Sequence, residues 1–269
     1  MRAFYFILVA FACLAVSCQK EISDDIGNNP GNPTNPGNKQ CLLTRIVQGT
    51  GVDDTVFLVK YDAQNRIRAI IDSAYDDSLY AAFTGNNKYP DRIKDDYGDA
   101  ISYSYNTSGK PLVIAGGGNK IEMEYISDTV LSKATSYYHD NTWKLSKYYT
   151  FQFDSKVNMS SMREFTSSND LRGQTDITYT DIPNGFNGLA PYNFNNMLGM
   201  NDIFPAFMFL YNSKYLVKSA LRGGGGQIFT VSYQQNSDHQ VISSKAVLKE
   251  ISTGDVLFVV TRYYFYQCP

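Results

Sequence analysis

Histidine, cysteine and tryptophan are scarce in this chain of 269 residues, which holds two, four and one of them. His139 and His239 both fall in stretches predicted as loops, and neither lies in a recognisable motif. A zinc centre needs several His or Cys ligands at short spacing, and a Ser-His-Asp arrangement needs a histidine held beside its nucleophile. No G-x-S-x-G is present, so the usual serine-hydrolase signature is missing too. No basic run stands out, and the formal charge is −2. Such a chain has no field that would steer nucleic acid. After the first 17 residues no apolar stretch approaches the length of a membrane-spanning helix. The glycine runs Gly116–Gly118 and Gly223–Gly226 lack a following Lys-Ser or Lys-Thr. They therefore read as slack turns or hinges rather than phosphate cradles. Neither a cofactor nor a metal is expected.

What the chain has in quantity is aromatic side chains, 21 Tyr and 16 Phe. Both favour pleated, half-buried surfaces. From Leu42 onward the pattern has a period of two. Phe57, Val59 and Tyr61 alternate with Leu58 and Lys60, and Ile101, Tyr103 and Tyr105 with Ser102 and Ser104. Ile121, Met123 and Tyr125 alternate with Glu122 and Glu124. Phe151 and Phe153 flank Gln152, and Phe229, Val231 and Tyr233 flank Thr230 and Ser232. One apolar face and one polar face predict antiparallel strands over a core. Many of these strands end in similar punctuation: 61–67 (YDAQNRI), 105–110 (YNTSGK), 153–158 (FDSKVN) and 233–238 (YQQNSD). Asn and Gly tolerate positive φ, and Asp or Asn can bond its own turn, so each block is a predicted hairpin tip.

The two ends carry a different message. Arg2, an apolar run over residues 4–16, small Ser17 and then Cys18 make a secretory signal followed by a cysteine. Leu14-Ala15-Val16-Ser17-Cys18 resembles a bacterial lipobox, with Ala15 where Leu is usual. That resemblance implies cleavage before Cys18, its acylation, and attachment to a membrane by the lipid. Residues 18–40 are rich in Asn, Pro and Gly and read as a flexible tether. Lys20, Glu21, Asp24 and Asp25 resemble the charged export tag of surface-displayed lipoproteins, although a solvated linker is charged as well. Cys41 and Cys268 remain as the only mature cysteines without an assigned role. In an oxidising envelope they are expected to pair; the alternative is two thiols that never meet. Pairing would make the first and last strands neighbours, and thus close the sheet.

The hairpin blocks resemble the tyrosine-aspartate (YD) repeats of bacterial surface proteins. Together with the lipobox and the tether, residues 41–269 resemble a family of lipoproteins of gut bacteria with a porin-like β fold. The resemblance implies a β shell and brings no catalytic residue. Asp54-Thr55-Val56, Asp72-Ser73-Ala74, Asp77-Ser78-Leu79 and Asp128-Thr129-Val130 resemble acceptor sites for O-glycosylation of envelope proteins.

Three features remain as candidate sites. Asp53-Asp54, Asp76-Asp77 and Asp95-Asp96, with Asp91 and Asp99 nearby, offer paired carboxylates for calcium or glycoside hydrolysis. Adjacent residues on a strand point to opposite faces, so solvated turns are the favoured reading. Trp143 follows Tyr137-Tyr138-His139; it is read either as a sugar-stacking side chain at a hairpin tip or as a cross-strand aromatic partner. Residues 186–222 break the alternation. Phe194, Met197 and Leu198 have helical spacing, and Phe204, Phe207, Met208, Phe209 and Leu210 cluster around Pro205. A short helical segment near 194–215 that plugs one opening is expected, with Phe204, Phe207 and Met208 as an alternative lid or ligand surface.

The sequence thus predicts an all-β domain over 41–269. It is an antiparallel meander that forms a strongly curved sheet or a nearly closed barrel, packed inside and polar outside, the reverse of a membrane-spanning porin. The expected role is an envelope-anchored binding or scaffold lipoprotein without catalysis, on the outer membrane at the cell surface or the periplasmic face. Its partner would be a glycan or an outer-membrane protein. A carrier of an apolar ligand and a glycoside hydrolase are the alternatives.

Overall fold

The computed structural model describes residues 41–49, 54–73, 77–98, 100–186, 189, 213–223 and 226–268. Sixteen antiparallel strands follow one another: β1 (Leu42–Gly49), β2 (Asp54–Tyr61), β3 (Ile67–Asp72), β4 (Asp77–Ala82), β5 (Arg92–Asp95), β6 (Ala100–Tyr105), β7 (Pro111–Gly116), β8 (Asn119–Ser127), β9 (Val130–Asp140), β10 (Thr142–Phe153), β11 (Met159–Thr166), β12 (Leu171–Pro183), β13 (Tyr215–Gly223), β14 (Gln227–Gln235), β15 (Val241–Glu250) and β16 (Val256–Gln267). Each pairs with the next, and β1 pairs with β16, so the sheet is a closed barrel rather than an open curved sheet. Closure removes both sheet edges and their unpaired N–H and C=O groups. The Cys41–Cys268 disulfide spans this seam, with its Cα atoms 4.1 Å apart.

The two-residue period decides what fills the barrel. Ile46, Ile70, Ala134 and Ala220 are fully buried. Two apolar clusters form around such residues. One gathers Met123, Tyr149, Met162, Ile177, Phe229 and Leu248. The other gathers Leu43, Ile46, Phe57, Ile70, Tyr103 and Tyr264. Ile114 packs against both, so side chains occupy the interior as they do a core. The outward positions include Lys60, Arg68, Lys94, Glu124, Arg163 and Lys245, all exposed. A lipid-spanning barrel has the opposite arrangement, an apolar belt outside and a polar lumen. No helix among the described residues is long and apolar enough to cross a membrane, which says nothing of strands.

One end of the barrel, where even strands finish and odd strands begin, is built by a repeated device. Tyr61 on β2 donates its hydroxyl to the Leu43 carbonyl, and Tyr105 on β6 donates to Pro90. Tyr125 on β8 donates to Pro111, Tyr179 on β12 to Met159, Tyr233 on β14 to Val217 and Tyr266 on β16 to Val241. These six rings pack inside the shell, and each hydroxyl meets a main-chain oxygen. A buried phenol needs such a partner, which is why tyrosine rather than phenylalanine suits these positions. Burial raises the hydroxyl pKa of Tyr61, Tyr125, Tyr179, Tyr233 and Tyr266 above the usual phenol range.

Four tips of this rim share one turn. Asp62 accepts from the backbone N–H of Gln64 and Arg66, and Asn106 from Ser108 and Lys110. Asp154 accepts from Lys156 and Asn158, and Asn236 from Asp238 and Gln240. The residue three after each carboxylate or amide has positive φ: Asn65, Gly109, Val157 and His239. The four predicted hairpin tips are therefore one structure written in four sequences.

Other expectations are corrected. His139 lies in β9 and not in a loop, because the β9–β10 hairpin runs on to a turn at Asn141 (φ 57). Gly117 and Gly118, both at positive φ, join β7 to β8 in a tight two-residue hairpin turn rather than a slack loop. The break in alternation is shorter than 186–222. Tyr215 already begins β13, in which Leu216 and Ala220 are buried and Lys218 is exposed. Leu216 and Val217 sit side by side, which hid that alternation in the sequence.

Candidate functional site

The hairpin β9–β10 and the start of β8 place aromatic and charged side chains on one outward patch. Ile121 and Met123 pack inward, so Lys120 and Glu122 on the same strand face out. Lys120 pairs with Tyr137, which pairs with Leu145, and His139 pairs with Trp143. Directly opposed residues share a face, so these five side chains lie together, with Glu122 beside Lys120 on the same face. His139 meets Trp143 edge to face, with ring centroids 5.1 Å apart. The Lys120 ammonium lies 4.7 Å from the Tyr137 ring centre and 5.0 Å from that of Trp143. Lys120 also pairs with Glu122 at 2.7 Å, and Lys144 pairs with Asp140 at the tip. Trp143 is 44% exposed. It is thus the cross-strand partner of His139, with its ring half open to solvent. The partial burial of Tyr137 and its neighbour Glu122 together raise its pKa.

A second polar group lines the inside at the opposite end from the tyrosine rim. Glu164 is buried and lies 3.2 Å from Lys147 and 3.6 Å from Arg172. Burial pulls the Lys147 pKa down, but Tyr149 and Glu164 beside it hold it above the usual range. A buried carboxylate held between two cations accounts for itself as a structural ion pair. Gln48 accepts from Arg262 at 3.0 Å in the same interior.

Of the described acids, Asp72 on β3 is buried and stands opposite Asp77 on β4 in the strand register, and Asp95 stands opposite Leu79. Asp91 caps its own loop by accepting from Thr84 N–H and Asn87. Asp95 ends β5 and Asp96 lies in the exposed turn that follows, while Asp54 is exposed at the start of β2. Asp53, Asp76 and Asp99 lie outside the described residues. Among those described, no group of His, Cys, Asp and Glu has the arrangement of a metal site. His239 sits exposed at the β14–β15 tip, far along the chain from any nucleophile motif. Of the hydroxyls in the Asp-Ser/Thr motifs, Ser73 and Thr129 are exposed, whereas Ser78 is buried.

Phe194, Phe204, Phe207 and Met208 lie outside the described residues, as do Cys18 and the tether. The segment that leads into that region enters the barrel. Phe186 stacks on Tyr264 with centroids 4.7 Å apart, and Leu189 belongs to the buried cluster beneath the tyrosine rim.

Sequence reasoning found Trp143, because a single tryptophan beside other aromatics is conspicuous. It missed Lys120 and Glu122, which come from the preceding strand and reach the patch only through strand pairing.

The fold defines a class: a sixteen-stranded antiparallel barrel, closed by a disulfide, filled with side chains and charged on its outside. No protein-family model matches the chain, and no match is found among curated proteins. Among solved structures it is similar to a porin-like protein from Bacteroides uniformis, at 12% identity over 89% of this chain and 100% of that one, with a TM-score of 0.44. A porin-like protein from Bacteroides vulgatus is similar at 12% identity over 84% of this chain and 98% of that one, with a TM-score of 0.47.

Proposed function

We propose that the chain is an envelope-anchored, non-catalytic binding module. In this reading Cys18 carries the lipid, residues 19–40 are the tether, and the barrel is held at the outer membrane, on the cell surface or the periplasmic face. The barrel works with its outside, and its partner is a glycan or an outer-membrane protein. One observation carries the reading: apolar side chains fill the interior, while an aromatic patch stands open on the outer face. A carrier would need a cavity where Met162, Ile177, Phe229 and Leu248 now meet. A retaining or inverting glycosidase would need two carboxyl groups about 5–10 Å apart in a cleft, and the buried Glu164 is instead taken up between Lys147 and Arg172.

The test uses the Cys18→Ser chain, which should leave the membrane fraction and remain in solution. On a glycan array it should bind a subset of glycans and release no shortened product. Cleavage products would overturn the non-catalytic reading. A stoichiometric apolar molecule extracted from the purified protein would replace it with the carrier. Retention of Cys18→Ser in salt-washed membranes would overturn the lipid anchor.

A further inference from the structure

We infer that the patch formed by Lys120, Tyr137, His139, Trp143 and Leu145 binds one or two rings of a neutral hexose glycan. The inference rests on the binding-module reading and deepens it by naming the site and the class of ligand.

Size comes first. Three strands spaced about 4.8 Å span about 10 Å, and four residues along a strand span about 13 Å. The footprint is therefore roughly 130 Å², several-fold short of the about 800 Å² per partner that a stable protein–protein interface covers. It matches a pyranose or two. Chemistry comes next. A pyranose has apolar C–H faces and a rim of hydroxyls. Trp143, Tyr137 and Leu145 supply apolar surface, while Lys120, Glu122 and His139 border it with donors and acceptors.

Charge then selects among glycans. The two charged side chains at the patch form one ion pair, Lys120 with Glu122, while Lys144 pairs with Asp140 on the other face of the hairpin. Neither sign is left over to draw a uronate or a sulfated sugar, so the selected class is neutral. The patch is also set before binding. Lys120 braces two rings at once, and His139 meets Trp143 edge to face. Side chains already fixed lose little freedom when a ligand arrives.

Trp143 is the sole tryptophan, so the intrinsic tryptophan emission of the Cys18→Ser chain reports this patch alone. Cellohexaose and mannohexaose are titrated as neutral probes, with hexagalacturonate as the anionic control and calorimetry in parallel. At least one neutral hexaose should shift the emission. Trp143→Ala should weaken its binding about tenfold, on the order of the 1.4 kcal/mol that tenfold represents, with an unchanged melting temperature. Lys120→Gln should weaken it while keeping the fold. Added salt should hardly matter, since no ionic contact drives the binding. A preference for hexagalacturonate, or loss of binding in salt, would overturn the neutral assignment. If array-positive glycans bind Trp143→Ala as tightly as the parent, the site is elsewhere and the binding module stands without it. If neither neutral hexaose nor any array glycan binds, the glycan assignment falls, and the binding module keeps only an outer-membrane protein as its partner.

Discussion

Lys110 shows how a single side chain sets a pH dependence in this barrel. Burial lowers its pKa to about 8, with the Lys88 charge as a second cause. The folded state therefore disfavours the ammonium. Between about pH 8 and the ordinary lysine value near 10.4, the unfolded chain binds a proton that the folded chain does not, so stability rises with pH across that window. Below about pH 8 the penalty is present in full. The buried tyrosines act oppositely: their raised pKa means stability falls once the unfolded phenols ionise near pH 10. Thermal melts of the parent should rise from pH 8 towards 10 and then decline. Lys110→Met should flatten the rising limb and leave the decline. An unchanged rising limb would show that Lys110 is not its source.

The tyrosine hydroxyls make a companion case. Tyr233→Phe would remove the hydroxyl hydrogen bond to the Val217 carbonyl and should cost about 1 kcal/mol. The loss should appear in the denaturant midpoint without a change in slope. Alternation placed the rings of Tyr61, Tyr125 and Tyr233 inside from sequence. It was silent on the hydroxyls, because their acceptors are carbonyls on neighbouring strands 14 to 18 residues earlier in the chain.

Among the elements, the shared turn yields the sharpest expectations. At the β10–β11 tip, Asp154 accepts two backbone N–H bonds. Slight desolvation opposes its ionisation, but the Asn158 and Lys156 hydrogen bonds hold its pKa below the usual carboxylate value. A depressed carboxylate contributes stability above its unfolded pKa and loses it as pH falls through the folded one. Asn already serves at the equivalent positions 106 and 236. Asp154→Asn should therefore keep the turn and remove this acid sensitivity, whereas Asp154→Ala should lose about 1–2 kcal/mol.

Three residues on, Val157 occupies φ 63, where a β-branched side chain is strained by about 1–2 kcal/mol. Val157→Asn should raise the melting temperature, since Asn65 adopts the same conformation in the sister turn. The repeated Asp or Asn and the glycines made these turns legible. Val157 was not legible as a positive-φ residue, because nothing in its own chemistry favours that region.

For the molecule as a whole, the prediction concerns the seam. Linking Cys41 to Cys268 constrains a loop of 227 residues. Chain-entropy estimates put this on the order of 5 kcal/mol, with less usually realised. Reduction, or Cys41→Ser with Cys268→Ser, should lower the denaturant midpoint markedly. Non-reducing peptide mapping should recover the two terminal peptides linked. A strongly curved sheet or nearly closed barrel was legible in the sequence, because two pairing cysteines at opposite ends of a meander can meet only if its first and last strands do. Full closure came only with the β1–β16 pairing. The number of strands was not legible. Short strands such as β5, four residues in length, are too brief for a period of two to register, and bulges in β12 interrupt its alternation.

The position of that disulfide also fixes how the barrel bears a load. Cys41 lies at the tyrosine rim, so under the proposed lipid anchor the molecule would be pulled at the first residue of its seam. Without the bridge, tension on Cys41 would peel β1 away one hydrogen bond at a time, the weakest mode in which a sheet can fail. With it, the pull divides between β1 and the end of β16, and the two strands must be torn from β2 and β15 together. Shear from flowing medium or from a bound, moving polymer would thus meet a riveted joint rather than a loose thread. Single-molecule pulling from the N-terminal side should show rupture at much lower force after reduction than before it.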